Sequence, residues 1–232
     1  MPRLVPPGTT TLTTANGTIQ IKPRAFDPRI LGYQYGVTPP DIVRYNQSSG
    51  FNQLTYTRPN APAYRSFTKR VAIYIDGVCT NNGFAGASAG VGVYVAPDSA
   101  WNKSLPLPSR YGTHTNQKAE IYAASVACDV ICDMIGPTTY NAVLITDSDY
   151  LFHAMTDWIH TWRQNGYRAA NGRIVENGAL FRELDAKWSH LEDELAIDLE
   201  IWKVDRMFNR DADRLARDGI SAVAELGLVQ VV

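Results

Sequence analysis

Regular spacing of apolar positions begins at residue 71. Val71-Ala-Ile-Tyr-Ile75 is a short, β-branched apolar run, and it predicts a central strand ending at Asp76. A loop rich in Gly and Asn follows, and Gly90-Val-Gly-Val-Tyr-Val95 reads as a second strand. A third is expected near residues 105–111, short or at an edge because prolines interrupt it. Thr115 caps a helix that should run to about residue 134. Ala142-Val-Leu-Ile-Thr146 predicts a fourth strand, and residues 148–162 a helix in two pieces. Residues 163–176 form a polar loop. Residues 178–190 place Leu180, Leu184 and Trp188 at helical spacing. Leu199-Glu-Ile-Trp-Lys-Val204 alternates as a fifth strand, and residues 209–219 form a short helix stopped by Gly219. The order is three strands, helix, strand, helices, strand, helix. It predicts an α/β fold: a five-stranded mixed sheet with helices on both faces.

Outside this core the pattern changes. Residues 1–70 are rich in Pro, Thr, Asn and Gln, and their prolines forbid long helices. Aromatic residues, among them Tyr33, Tyr35, Tyr45, Phe51, Tyr56 and Tyr64, make the segment too apolar for a plain linker. It reads as an arm, 1–70, with short pieces that pack on a domain at 71–219; an apolar tail, 220–232, follows. The arm holds nine Lys/Arg against two acidic residues, a surplus of +7, and the remainder holds 13 against 21, a deficit of −8. Such asymmetry suggests an anionic partner, although an exposed basic arm can also serve solubility alone. Three cysteines, Cys79, Cys128 and Cys132, are too few and too sparse for a disulfide framework, and no apolar run approaches the length of a membrane span. The opening residues lack the apolar stretch of a signal peptide. The expectation is an intracellular, reduced protein of the nucleus or cytoplasm, acting as a monomer with no membrane partner.

Four carboxylates fall where such a fold can gather them. Asp76 and Asp147 follow strands, Glu120 lies one turn inside the first long helix, and Asp213 lies in the last. A single Asp after a strand also starts turns and caps helices. Four in this order point to a site at adjacent strand ends. Acidic groups brought together repel, and divalent cations relieve that repulsion. Oxygen-only donors suit Mg²⁺ or Mn²⁺, and two such ions can drive hydrolysis of a phosphodiester.

The same residues carry a family resemblance. Tyr74-Ile-Asp76-Gly77 followed by Cys79 and Asn82, Thr115-Asn-Gln-Lys-Ala-Glu120, Ile145-Thr-Asp147-Ser148 and Asn209-x-x-Ala-Asp213-x-Leu-Ala216 resemble the four acidic motifs of type-1 ribonuclease H. Trp158-Ile-His-Thr-Trp162-Arg163 with Gly166-Tyr167-Arg168 resembles the helix and basic protrusion with which members hold their substrate. The resemblance implies a ribonuclease H-like fold. It also implies an endonuclease that cuts the RNA strand of RNA–DNA hybrids with two Mg²⁺ (or Mn²⁺) ions held by Asp76, Glu120, Asp147 and Asp213. Asn82, Asn116 and Gln117 match minor-groove and 2′-OH contacts, Thr115 a DNA-phosphate contact, and Trp158 a contact to DNA sugars; Asn177 matches a further substrate position. Trp162, at i, i+4 from Trp158, also suits core packing. The stretch before Asp213 lacks the histidine many members carry, and Arg206 is expected to take an electrostatic part of its work. The competing readings are a non-catalytic module that keeps the fold to bind nucleic acid or protein, and a domain derived from a retroelement.

Overall fold

A computed structural model describes residues 10–14, 17–21, 24–33, 36–57, 65–135 and 140–228. The first nine and last four residues of the expected arm and tail lie outside them. The central strand is β5 (Arg65–Thr80), longer at both ends than its apolar run, so Asp76 lies inside it and does not end it. Its second half pairs antiparallel with β6 (Ser88–Tyr94), and β6 pairs with β7 (Lys103–Pro106). β7 covers only the start of the expected 105–111 span, because Pro106 and Pro108 have no N–H to give a ladder. On the other edge β8 (Asn141–Thr146) pairs parallel with β5, and β9 (Leu199–Lys203) pairs parallel with β8.

Among the described residues the sheet has seven strands, not the five expected. The two extra strands come from the 1–70 segment: β3 (Val43–Asn46) and β4 (Phe51–Thr57) form a hairpin whose second strand pairs with the first half of β5. Both carry β-branched or aromatic residues among polar ones, a pattern that the prolines on either side obscure. A separate hairpin, β1 (Thr10–Thr14) with β2 (Gly17–Ile21), and one helical turn, α1 (Pro39–Ile42), complete the described part of this segment.

Two hydrophobic cores result. On one face α2 (Asn116–Ile135) and α5 (Gly178–Asp193) pack over Val71, Ile73 and Ile75, with Phe181, Leu184 and Trp188 buried between. The expected helix at 148–162 is α3 (Asp149–His153), a π-helical turn at Ala154–Trp158 and α4 (Ile159–Asn165). On the other face Phe26, Ile42, Val43 and Leu54 cover Ala72, Val143, Ile145, Trp202 and Val204. The same segment sends Arg24 inward. Its guanidinium lies 4.8 Å over the Trp188 ring and bonds Asp185 at 3.3 Å and Glu192 at 3.0 Å. Arg29 pairs with Asp27, and Arg70 with Asp198 and Glu200, so part of the +7 surplus is neutralised within the fold.

The last helix, α6 (Arg210–Leu228), runs straight through Gly219, which sequence reading takes as its stop. A Cβ at Gly219 would meet the Leu105 carbonyl oxygen at 2.5 Å, so this glycine serves a close helix–strand contact and not a C-cap. Ser104 of β7 ties the same contact by donating to the Leu215 carbonyl at 2.7 Å.

If residues 24–57 are part of the core, Leu54→Ala should lower the unfolding free energy by about 2–5 kcal/mol, the usual range for a fully buried leucine. Removing residues 1–64 should lower the melting temperature further. Denaturant titration and thermal melts measure both; a loss under about 0.5 kcal/mol for Leu54→Ala would place the second core outside the cooperative unit.

Candidate active site

Register places the first two carboxylates level. The parallel pairing of β5 with β8 ends at Tyr74↔Ile145, and Asp76 and Asp147 each lie two residues beyond it. Neighbouring strands lie about 4.8 Å apart, so the two acids emerge side by side. Two glycines bring in the others. A Cβ on Gly77 would run into the backbone of Ala119 and Glu120, so α2 rests directly on the strand and sets Glu120 beside Asp76. Gly92 is the cross-strand partner of Asp76, and a Cβ there would run into the Ala212 carbonyl. Its absence lets the first turn of α6 descend, and Asp213 follows Ala212.

The electrostatics match the crowding. Asp76 is 3% exposed. Burial pushes its carboxyl up to about 7 and the Asp147 charge adds to this, while an N–H from Gly77 at 2.9 Å works the other way. Burial also pushes Glu120 well above the usual carboxylate range, with Asp76 and Asp147 adding to it. The Glu120 Oε2 atom is buried with no hydrogen-bond partner. Asp213 is different. Hydrogen bonding from Arg217 holds its carboxyl below the usual range, partial burial opposes this, and Arg206 adds to the lowering. A cleft of about 260 Å³ opens here, lined by Asp76, Glu120, Asn116, Arg206 and Arg217 among others. Among the described residues no three His, Cys, Asp or Glu side chains already converge as a metal-holding group. The orphaned Glu120 oxygen and the all-oxygen donor set nonetheless fit a hard divalent cation.

The remaining expected residues surround this centre. Thr115 caps α2, its Oγ1 accepting from the Lys118 N–H at 3.2 Å. Asn82 accepts the Asn116 N–H at 2.9 Å, which locks the β5–β6 turn to the start of α2. Asn116 and Gln117 are exposed. Trp158 is 41% exposed and stacks on His153 at 6.1 Å, whereas Trp162 is buried against Phe181 at 5.1 Å and belongs to the core. Asn177 sits in left-handed backbone at the start of α5. Arg206 lies in the short turn before α6 and bonds Asp213 at 2.8 Å.

Three other residues matter that motif reading does not single out. Asn209 is 1% exposed, and its Nδ2 donates to the Ile75 carbonyl at 2.9 Å and to Asp147 Oδ1 at 2.7 Å. It stands three residues before Ala212 in the last motif, yet nothing in spacing shows that it reaches back to β5 and β8. Arg217 makes two bonds to Asp213. Asp185 takes Arg163 in a fork at 2.7 and 2.6 Å, so Arg163 of the expected basic protrusion is held inward.

A mixed sheet with helices on both faces, and carboxylates gathered from two neighbouring central strands and two helix starts, is the ribonuclease H fold. A solved foamy viral protease-reverse transcriptase in complex with an RNA/DNA hybrid matches it with a TM-score of 0.52, 20% identity, and coverage of 72% of this chain and 22% of that one. The solution structure of the foamy viral ribonuclease H domain matches with a TM-score of 0.50 and 23% identity, over 66% of this chain and 94% of that one. The RNase H family model matches residues 68–221, and the chain belongs to that family. Ribonuclease H1 of Rattus norvegicus is 35% identical over 164 residues, covering 68% of this chain and 52% of the relative. A ribonuclease H of a Wolbachia strain from Drosophila simulans is 34% identical over 154 residues, 66% of this chain and 96% of the relative. The chain thus spans about half the length of the mammalian curated relatives it matches.

The raised Asp76 value sets a pH dependence. Its folded pKa exceeds the unfolded one, so the native state binds the proton more tightly, and stability present below about pH 4 is lost as pH rises through about 7. Each tenfold gain in proton affinity is worth about 1.4 kcal/mol, so the loss from this one carboxyl is on the order of 4 kcal/mol. In chelator, the Asp76→Asn protein should therefore gain stability over wild type at pH 8.5 and little at pH 4. Equal gains at both, by denaturant titration, would mean that the carboxyl does not titrate in this range.

Proposed function

We propose that the chain is an endoribonuclease that hydrolyses the RNA strand of RNA–DNA hybrids at the Asp76, Glu120, Asp147 and Asp213 cluster. The observation that carries the reading is the buried, partnerless Oε2 of Glu120 beside Asp76. A buried acceptor left without a donor costs about 1–3 kcal/mol, more when charged, and a binding scaffold gains nothing from it. Mg²⁺ or Mn²⁺ suits the all-oxygen set, with two ions shared across it. When bound, such ions lower the pKa of an attacking water and stabilise the leaving oxygen of a phosphodiester.

The chain's own residues divide the remaining work. Asp76, the most enclosed, holds its carboxylate between the other acids, with one oxygen fixed by the Gly77 N–H. Asn209 orients Asp147 and ties it to β5, so these two ligands move together. Glu120 lines the same cleft and keeps its buried Oε2 without a hydrogen-bond partner. Asn82, Asn116 and Gln117 lie at one turn and helix start, where amide groups can read the 2′-OH that separates RNA from DNA. Asn82 has spent its carbonyl oxygen on Asn116, which leaves its NH₂ to donate. Thr115 offers a polar contact to the DNA strand, the half-exposed Trp158 packs against its sugars, and Asn177 at the start of α5 is a further substrate position. Arg206 places a positive charge by the cluster, in the role that a histidine fills in other members.

Cleavage of a strand-labelled RNA–DNA duplex with and without Mg²⁺ tests the proposal. The RNA strand alone should be cut, leaving 5′-phosphate and 3′-hydroxyl ends, and duplex DNA should be untouched. Asp76→Asn should abolish cleavage while the fold persists. Asn209→Ala should cost about 10–100-fold in activity or metal affinity, the usual effect of removing a ligand's supporting hydrogen bond. Equal cutting of duplex DNA, or normal activity in Asp76→Asn, would reject the assignment.

A further inference from the structure

Asp213 stands apart from the other three acids. Both its oxygens are occupied: Oδ2 accepts from Arg217 Nε at 2.7 Å, and Oδ1 from Arg217 Nη2 at 3.1 Å and from Arg206 Nη2 at 2.8 Å. Arg217 sits one turn further along α6, so the helix itself presents the fork to the carboxylate. The two arginine side chains are 61% and 67% exposed, while Asp213 is 22% exposed. Both guanidinium groups line the same cleft as Asp76 and Glu120. A carboxylate holding two cationic partners has a local charge of about +1 and little to offer a third cation.

We propose that Arg217, with Arg206, is a positioning residue that clamps Asp213 against metal until a substrate phosphodiester draws the guanidinium groups away. This rests on the metal-dependent reading of the site given above. A guanidinium forks as readily onto a phosphate as onto a carboxylate, and these two are long, exposed and able to swing without disturbing the core. Asp213 is then released to the second ion at the moment the phosphate arrives, so ion and substrate bind cooperatively. The other acids need no such release. Asp147 is steadied by the neutral Asn209 amide, and Glu120 keeps a free oxygen.

The test is titration of Mn²⁺ into the full chain without nucleic acid, followed by calorimetry and by the paramagnetic resonance of the bound ion. Wild type should take one ion well and a second weakly. Arg217→Gln should tighten the second about three- to tenfold, the size expected for an exposed but forked ion pair, and leave the first nearly unchanged. Arg217→Lys, which keeps the charge but loses the fork, should fall between. Arg214→Gln is the control: it removes an equal charge from the same helix, at a residue that pairs with Asp211 and not Asp213. A hybrid whose RNA strand keeps its 2′-OH groups but carries phosphorothioate linkages to slow cleavage, added to wild type, should tighten the second ion and do less in Arg217→Gln. Melting temperatures of all variants check that the fold is retained, and Arg217→Lys carries the test if Arg217→Gln is unstable. Equal second-ion affinity in wild type and Arg217→Gln, an equal gain in Arg214→Gln, or no effect of the hybrid would overturn the clamp alone. A wild-type protein that binds no Mn²⁺ would overturn the metal-site reading, and the clamp with it.

Discussion

Backbone contact between helices and sheet at two glycines is the constraint on which the site depends. At Gly77 the start of α2 lies on β5, and at Gly92 the start of α6 lies on β6. Had either position a side chain, a helix would stand off by the thickness of a methyl group or more, and its carboxylate would leave the cluster. The sheet supplies the other two acids by register alone, two residues past the last parallel pair. The repulsion among the four is thus imposed by packing. Burial under that packing, with the neighbouring charges adding to it, raises Asp76 and Glu120 above the usual carboxylate range.

The opposite face explains why the described residues between 24 and 57 belong to the domain and not to an arm beside it. β5, β8 and β9 present Ala72, Val143, Ile145, Trp202 and Val204 on the side away from α2 and α5, and α6 covers mainly the β6–β7 end of the sheet. The rest of that apolar face is closed by Phe26, Ile42 and Leu54. An apolar surface of that extent left open would be a site for association. The family model begins at residue 68, inside β5, so the residues that close this face lie before its first matched position.

Much of this was legible in the sequence. Val71–Ile75, Ala142–Thr146 and the alternation at 199–204 are strands because short β-branched runs have no other good solution, and all four carboxylates lie in one neighbourhood as their motifs imply. What escaped has a common cause: it depends on partners distant in the chain. β3 and β4 are too polar and too near prolines to be recognised without β5 beside them. Gly219 looks like a helix stop because a local rule cannot know that Leu105 lies against it. Arg163 looks like a surface cation until Asp185 is found across from it, and Asn209 shows only as a motif letter until it is seen to bridge Ile75 and Asp147.

The Arg24 contact bears on the order in which the chain can assemble. Arg24 is 2% exposed and depends on Asp185, 161 residues later, and on Glu192. At about 5–20 residues per second, translation leaves that guanidinium without its partners for roughly ten to thirty seconds. The hairpin of β3 and β4 can dock on β5 much earlier, since all three emerge in sequence. The burial of one early arginine therefore waits for α5.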